Sequence, residues 1–148
     1  MFKKLLACIF ITVPVVSSAK DYGCASIGLS MESSLFDALS KDLKIDTSTL
    51  DETKAKVEII DVSPISKIYA ESLARVDFNN APAKDKSEET YNKIYFSSYY
   101  ENEVKSITVK YTYTNKVGKK SVFIATSLMN KDECSIRFNG YITLSREF

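Results

Sequence analysis

The chain has no histidine and no tryptophan among its 148 residues, and only four glycines, three prolines and three cysteines. Each shortage excludes something. Without histidine there is no Ser-His-Asp triad, no Cys-His pair, no HExxH zinc helix and no imidazole switch near neutral pH. The four glycines, Gly23, Gly28, Gly118 and Gly140, are too scattered to build a P-loop or a GxGxxG turn. Excess charge of one sign is also missing. Twenty basic and nineteen acidic side chains leave +1, which argues against a nucleic-acid partner steered by bulk charge. A chain of this length is expected to form a single domain.

What is present begins with an address. Met1–Lys4 is short and basic, Leu5–Val16 is an apolar run of 12 residues, and Ser17-Ser18-Ala19 supplies small residues behind it. That order is the n-, h- and c-region pattern of a secretory signal peptide, with cleavage expected after Ala19. The run is shorter than the ~20 apolar residues a membrane span needs. Leu5-Leu6-Ala7-Cys8 spells a lipoprotein box, but Cys8 stands near the start of the apolar run, where a lipidated cysteine would not. The expected exported chain is residues 20–148, with 129 residues and a net charge of −1. It keeps two cysteines, Cys24 and Cys134. An even count in an exported chain reads as one disulfide. That bridge would tie the start of the exported chain to its last strand. By the chain-entropy model, closing so long a loop is worth up to about 4.7 kcal/mol. The pair lacks CxxC spacing and any histidine, so a redox or metal role is disfavoured, and no cofactor or metal is expected.

Met31, Leu35, Leu39 and Leu43 recur every four residues, which predicts an amphipathic helix over Met31–Lys44, with Ser30 or Ser33 as N-cap. Lys56–Val62 reads as a strand rich in β-branched residues, broken by Ser63-Pro64. Residues 65–78 fit two patterns. As a helix, Ile65, Ile68, Tyr69, Ser72, Leu73 and Val76 share a face, with Ser63 as cap and Pro64 at the first position. As a strand, Ala70, Ser72, Ala74, Val76 and Phe78 alternate with Glu71, Arg75 and Asp77. Asn79–Thr90 reads as a polar loop, and Tyr91–Tyr100 as an aromatic strand. Val104–Thr114 alternates cleanly. It is followed by a hairpin at Asn115–Lys120, a returning strand to Met129, a turn at Asn130–Glu133 and a last strand over Cys134–Leu144. Gly140 marks a bulge in that strand. The expected class is α+β: one N-terminal helix on a curved antiparallel sheet of four to six strands in meander order.

The stretches Val57–Ile65, Ala70–Phe78 and Ser106–Thr114 followed by Lys119–Ile124 resemble the first strand, second strand and central hairpin of small cystatin-like and NTF2-like proteins exported by bacteria. The resemblance implies a sheet gripping one helix, a strand at residues 70–78, and a periplasmic or secreted location. The Gln-Val-Gly loop of cystatin inhibitors is absent, which counts against cysteine-protease inhibition. Such folds host inhibitors, immunity proteins, carriers and enzymes.

Carboxylate pairs are the remaining conventional catalytic resource: Asp51/Glu52, Glu88/Glu89, Glu101/Glu103 and Asp132/Glu133. All fall in expected turns, where acids usually sit in solvent, and Asp46 with Asp51 and Glu52 matches no EF-hand spacing. Lys116, Lys119 and Lys120 make a basic hairpin tip suited to solubility and edge protection. The candidate partner-binding residues are Tyr91, Tyr95, Tyr99, Tyr100, Glu101 and Glu103. Tyrosine is enriched at protein interfaces, and the two glutamates suit a basic partner. The expectation is a non-enzymatic exported protein that binds another protein, as an inhibitor or immunity-type molecule. The alternatives are a small-ligand carrier with a pocket between helix and sheet, and an enzyme using carboxylates and tyrosines.

Overall fold

The computed structural model describes residues 23–83 and 85–148. The signal-peptide reading of residues 1–19, with Cys8, lies outside them. Four strands form one open antiparallel sheet in the order β1-β2-β3-β4: β1 is Lys56–Pro64, β2 Lys105–Thr114, β3 Lys120–Met129 and β4 Arg137–Arg146. Helix α1, Ser30–Leu43, precedes the sheet. Helices α2, Lys67–Asn80, and α3, Glu88–Tyr95, lie between β1 and β2, and a π-helical turn, Phe96–Glu101, follows α3. The described residues form an α+β domain with three α-helices and a four-strand meander.

Helix α1 forms where its apolar stripe predicts. Met31, Leu35 and Leu39 are fully buried. No side chain caps its N-terminus at Leu29; Ser30 is already helical. The Glu32 carboxylate instead reaches back to accept the Gly28 N–H, tying the first turn to the backbone just ahead of the cap. Lys44 closes the other end in a left-handed conformation. The stripe meets the odd-numbered side chains of β2, Ile107, Val109, Tyr111 and Tyr113, together with Phe123 and Ala125 of β3. Period-two alternation puts them all on one face.

Residues 67–80 are helical, correcting the strand that the resemblance implied. Ser66, not Ser63, accepts the Tyr69 N–H and starts the helix, and Ser63-Pro64 ends β1. The 3.6-residue period wins because Ala70, Leu73 and Ala74 are buried together, although Ile68 and Val76, expected on the same face as Leu73, are exposed. The aromatic segment is also helical rather than a strand. Ser87 caps α3 through the Thr90 N–H, and tyrosines spaced by four then share one side of a helix. The second core lies on the sheet face opposite α1. It joins Ile65, Leu73, Val104 and Leu128 with Tyr69, Tyr95, Tyr99 and Ile136.

The bulge expected at Gly140 is present. Asn139 is the extra residue between the Phe138 and Gly140 pairings, and Gly140 takes φ +106°. It changes what β4 presents. Phe138 and Tyr141 pack toward α1, while Ile142 pairs with Ile124 on the other face and is exposed. Ile136, Phe138, Ile142 and Leu144 therefore do not share a face, as unbroken alternation would require.

Candidate functional site

The carboxylates separate once they are placed. Asp46 and Asp51 each cap a 3-10 turn, accepting the Ser48 and Thr53 N–H groups. The Ser48 hydroxyl and then its N–H hold the Asp46 carboxyl below the usual range, and Lys54 at 2.8 Å, then the Thr53 hydroxyl, do so for Asp51. Glu89 pairs with Lys93 at 2.8 Å along α3, and Glu88 lies 3.8 Å from Arg75. These acids shape local structure. Among the described residues no group of three or more metal-ligating side chains forms.

Glu101 and Glu103 behave differently. The π-helical turn ends at Glu101, and Glu103 follows with φ 52°. The turn between β3 and β4 brings Asp132 and Glu133 to the same place. Two acidic pairs from distant parts of the chain thus line one cleft of about 510 Å³, with Lys105, Lys131 and the Cys24–Cys134 disulfide. Asn130 folds that turn by accepting the Asp132 and Glu133 N–H groups at 2.9 and 2.8 Å. The bridge joins Cys24, in a 3-10 turn, to Cys134 just ahead of β4, with Cα atoms 5.2 Å apart and a sequence separation of 110. It anchors the turn rather than the last strand itself. Leu29, 45% exposed, adds an apolar wall.

The candidate tyrosines divide into two groups. Phe78, Tyr91, Tyr95 and Tyr99 form a ladder, with successive ring centroids 5.6, 6.3 and 5.1 Å apart. Tyr95 and Tyr99 are half-buried and pack on the second core. The ladder therefore has a packing role as well as any binding role. Tyr100 faces elsewhere. It pairs with Phe96 at 5.3 Å, is exposed, and directly precedes Glu101. The Lys67 ammonium sits 5.2 Å over the Phe96 ring, a cation–π contact that ties the start of α2 to the turn.

Beneath the ladder lies a polar latch. Asp77 of α2 receives both guanidinium arms of Arg137 from β4, at 2.5 and 3.0 Å, and the Tyr95 hydroxyl as well. Arg137 holds the Asp77 carboxyl below the usual range, while burial and then the hydrogen bond to Asp77 push the Tyr95 phenol up. The residues missed from sequence are Asp77 and Arg137, and the meeting of Asp132/Glu133 with Glu101/Glu103. Asp77 did leave a signal. In the helical reading it stands four residues after Leu73, on the buried side, where a charge needs a partner.

No helix among the described residues is long and apolar enough to cross a membrane. In class, the described residues are an α+β domain with three α-helices and one open antiparallel meander. Compared with known proteins, the chain matches no family model, no curated protein and no solved structure.

Proposed function

We propose that this is an exported protein that acts by binding a macromolecular partner, in the manner of an inhibitor or immunity protein. The observation that carries the reading is the convergence of Glu101, Glu103, Asp132 and Glu133 on one cleft beside Leu29 and next in sequence to Tyr100. Interfaces favour an aromatic anchor with complementary charge around it. Four carboxylates against Lys105 and Lys131 suit a partner that presents lysine or arginine. The disulfide fits an oxidising compartment, which agrees with a periplasmic or secreted location after cleavage at Ala19. Kinship with cystatin-like exported proteins belongs to the same reading, through α1 followed by an antiparallel meander. The helical insertion 67–101 departs from that pattern. The carrier alternative needs room between α1 and the sheet, and fully buried Met31, Leu35, Leu39, Tyr111 and Phe123 occupy that space.

Affinity capture from envelope extract, with the oxidised chain as bait, tests the reading. A protein retained by wild type and lost with the Glu101→Lys/Glu103→Lys double variant supports it. Retention unchanged by that variant, or turnover of a small substrate by the chain, sinks it. Export is checked separately by intact mass: residues 20–148 less two hydrogens.

A further inference from the structure

β1 and β4 are the two edges of the sheet, and the chain guards them differently. Along β1, Lys56, Glu58 and Asp61 carry charge, and Pro64 removes a donor at the end. Such features keep an edge strand from pairing with another chain. β4 carries charge only at its ends. Arg137 is held by Asp77, and Arg146 donates to the Leu43 and Phe148 carbonyls. Between them Gly140–Leu144 reads Gly-Tyr-Ile-Thr-Leu, with neither charge nor proline. Ile142 is 59% exposed and Leu144 53%.

We propose that the β4 edge is a dimerisation strand, pairing antiparallel with β4 of a second copy across a two-fold axis at Ile142. The occupant follows from the strand's match to itself in that register. Ile142 meets its own counterpart on the face it shares with Ile124, so an apolar row runs unbroken from one sheet into the other. Tyr141 falls opposite Thr143 in that register, on either side of the axis. Pairing β4 with β1 of another copy would instead be head-to-tail and open-ended, and the β1 charges oppose it. The bulges at Asn139 and Leu144 confine the new ladder to the residues between them, so the association is weak and concentration-dependent. This edge contains none of the residues of the proposed partner surface.

Sedimentation equilibrium of the oxidised chain over a wide concentration range tests the proposal. Wild type is expected to move from one chain mass to twice that mass as concentration rises. Ile142→Lys and Ile142→Glu, each folded by circular dichroism, are expected to stay monomeric alone. Mixed in equal amounts they are expected to form a heterodimer, because opposite charges then face each other across the axis. Ile60→Lys on the β1 edge is expected to behave as wild type. A wild type that stays monomeric throughout, an Ile142→Lys protein that still dimerises, or a mixture that stays monomeric overturns the proposal.

Discussion

The two faces of the sheet are covered in different ways. On one face, α1 lays Met31, Leu35 and Leu39 on Tyr111, Tyr113 and Phe123 with essentially no exposed surface. Its two deep tyrosine hydroxyls are both satisfied: Tyr111 donates to the Ala25 carbonyl at 2.8 Å, and Tyr113 to Glu32 at 2.9 Å. On the other face, α2, α3 and the π-helical turn cover one end of the sheet with half-buried tyrosines and a charged latch, and leave Ile142 exposed. One face specifies the fold by dense packing. The other is held by aromatic contacts and hydrogen bonds near solvent, where local opening costs less. The proposed partner surface lies where the two meet: Glu101 ends the π-helical turn, while Leu29 and the disulfide belong to the α1 side.

The comparison breaks most readily by core truncation. Leu35→Ala under α1 is expected to cost about 2–5 kcal/mol. Leu73→Ala in the second core is expected near the lower end, since Leu73 is already 8% exposed. Urea unfolding gives both values. A larger loss at Leu73 would reverse the ranking of the two layers. Next, replacing both Cys24 and Cys134 by alanine is expected to cost about 2–4 kcal/mol. Because Cys24 packs in the α1 core, the loss should appear as a lower global melting temperature. An unchanged temperature would mean that the bridge is idle.

A finer comparison uses two hydroxyls. Tyr113→Phe leaves the buried Glu32 carboxylate with the Gly28 N–H and is expected to cost about 1–3 kcal/mol. Tyr95→Phe leaves Asp77 both arms of Arg137 and is expected to cost less than about 1 kcal/mol. Equal losses in urea unfolding would mean that the second layer is as tightly specified as the first.

Legibility in the sequence followed the same division. α1 and the β2–β3 hairpin were readable because each buries one face against a single neighbour, so period and burial agree. Residues 65–78 carried the helical period, and the resemblance pointed the other way. Tyr91–Tyr100 misled because its aromatic content suits a strand, and only the spacing Tyr91, Tyr95, Tyr99 betrayed the helix. The acidic cleft was not readable at all. Its pairs are separated by β2 and β3, and the hairpin register that brings Lys105 opposite Met129 decides their meeting. The latch was half-readable: Asp77 on a buried stripe asks for a cation, but nothing local names Arg137.

The smallest expected effect separates the layers by acid. Arg137, first of all, holds the Asp77 carboxyl below its ordinary value. A carboxyl lowered on folding stabilises the protein above its unfolded pKa, about 3.9. That stabilisation fades as pH falls toward and through the folded value. The α2/α3 layer should therefore loosen first below about pH 4, while α1 keeps its packing. Amide exchange by NMR resolves the two. Amides of α2 and α3 are expected to lose protection before those of α1, and Asp77→Asn should weaken the dependence in that layer, where Glu89, held low by Lys93, still titrates. The alkaline end discriminates less well. Burial raises the Tyr111 and Tyr113 phenols on one face and Tyr95 on the other. Stability should thus fall on both faces once pH passes about 10, where unfolded tyrosine begins to ionise. If α1 and α2 amides open together in acid, the latch is not a separate fastening, and the sheet's two faces unfold as one unit.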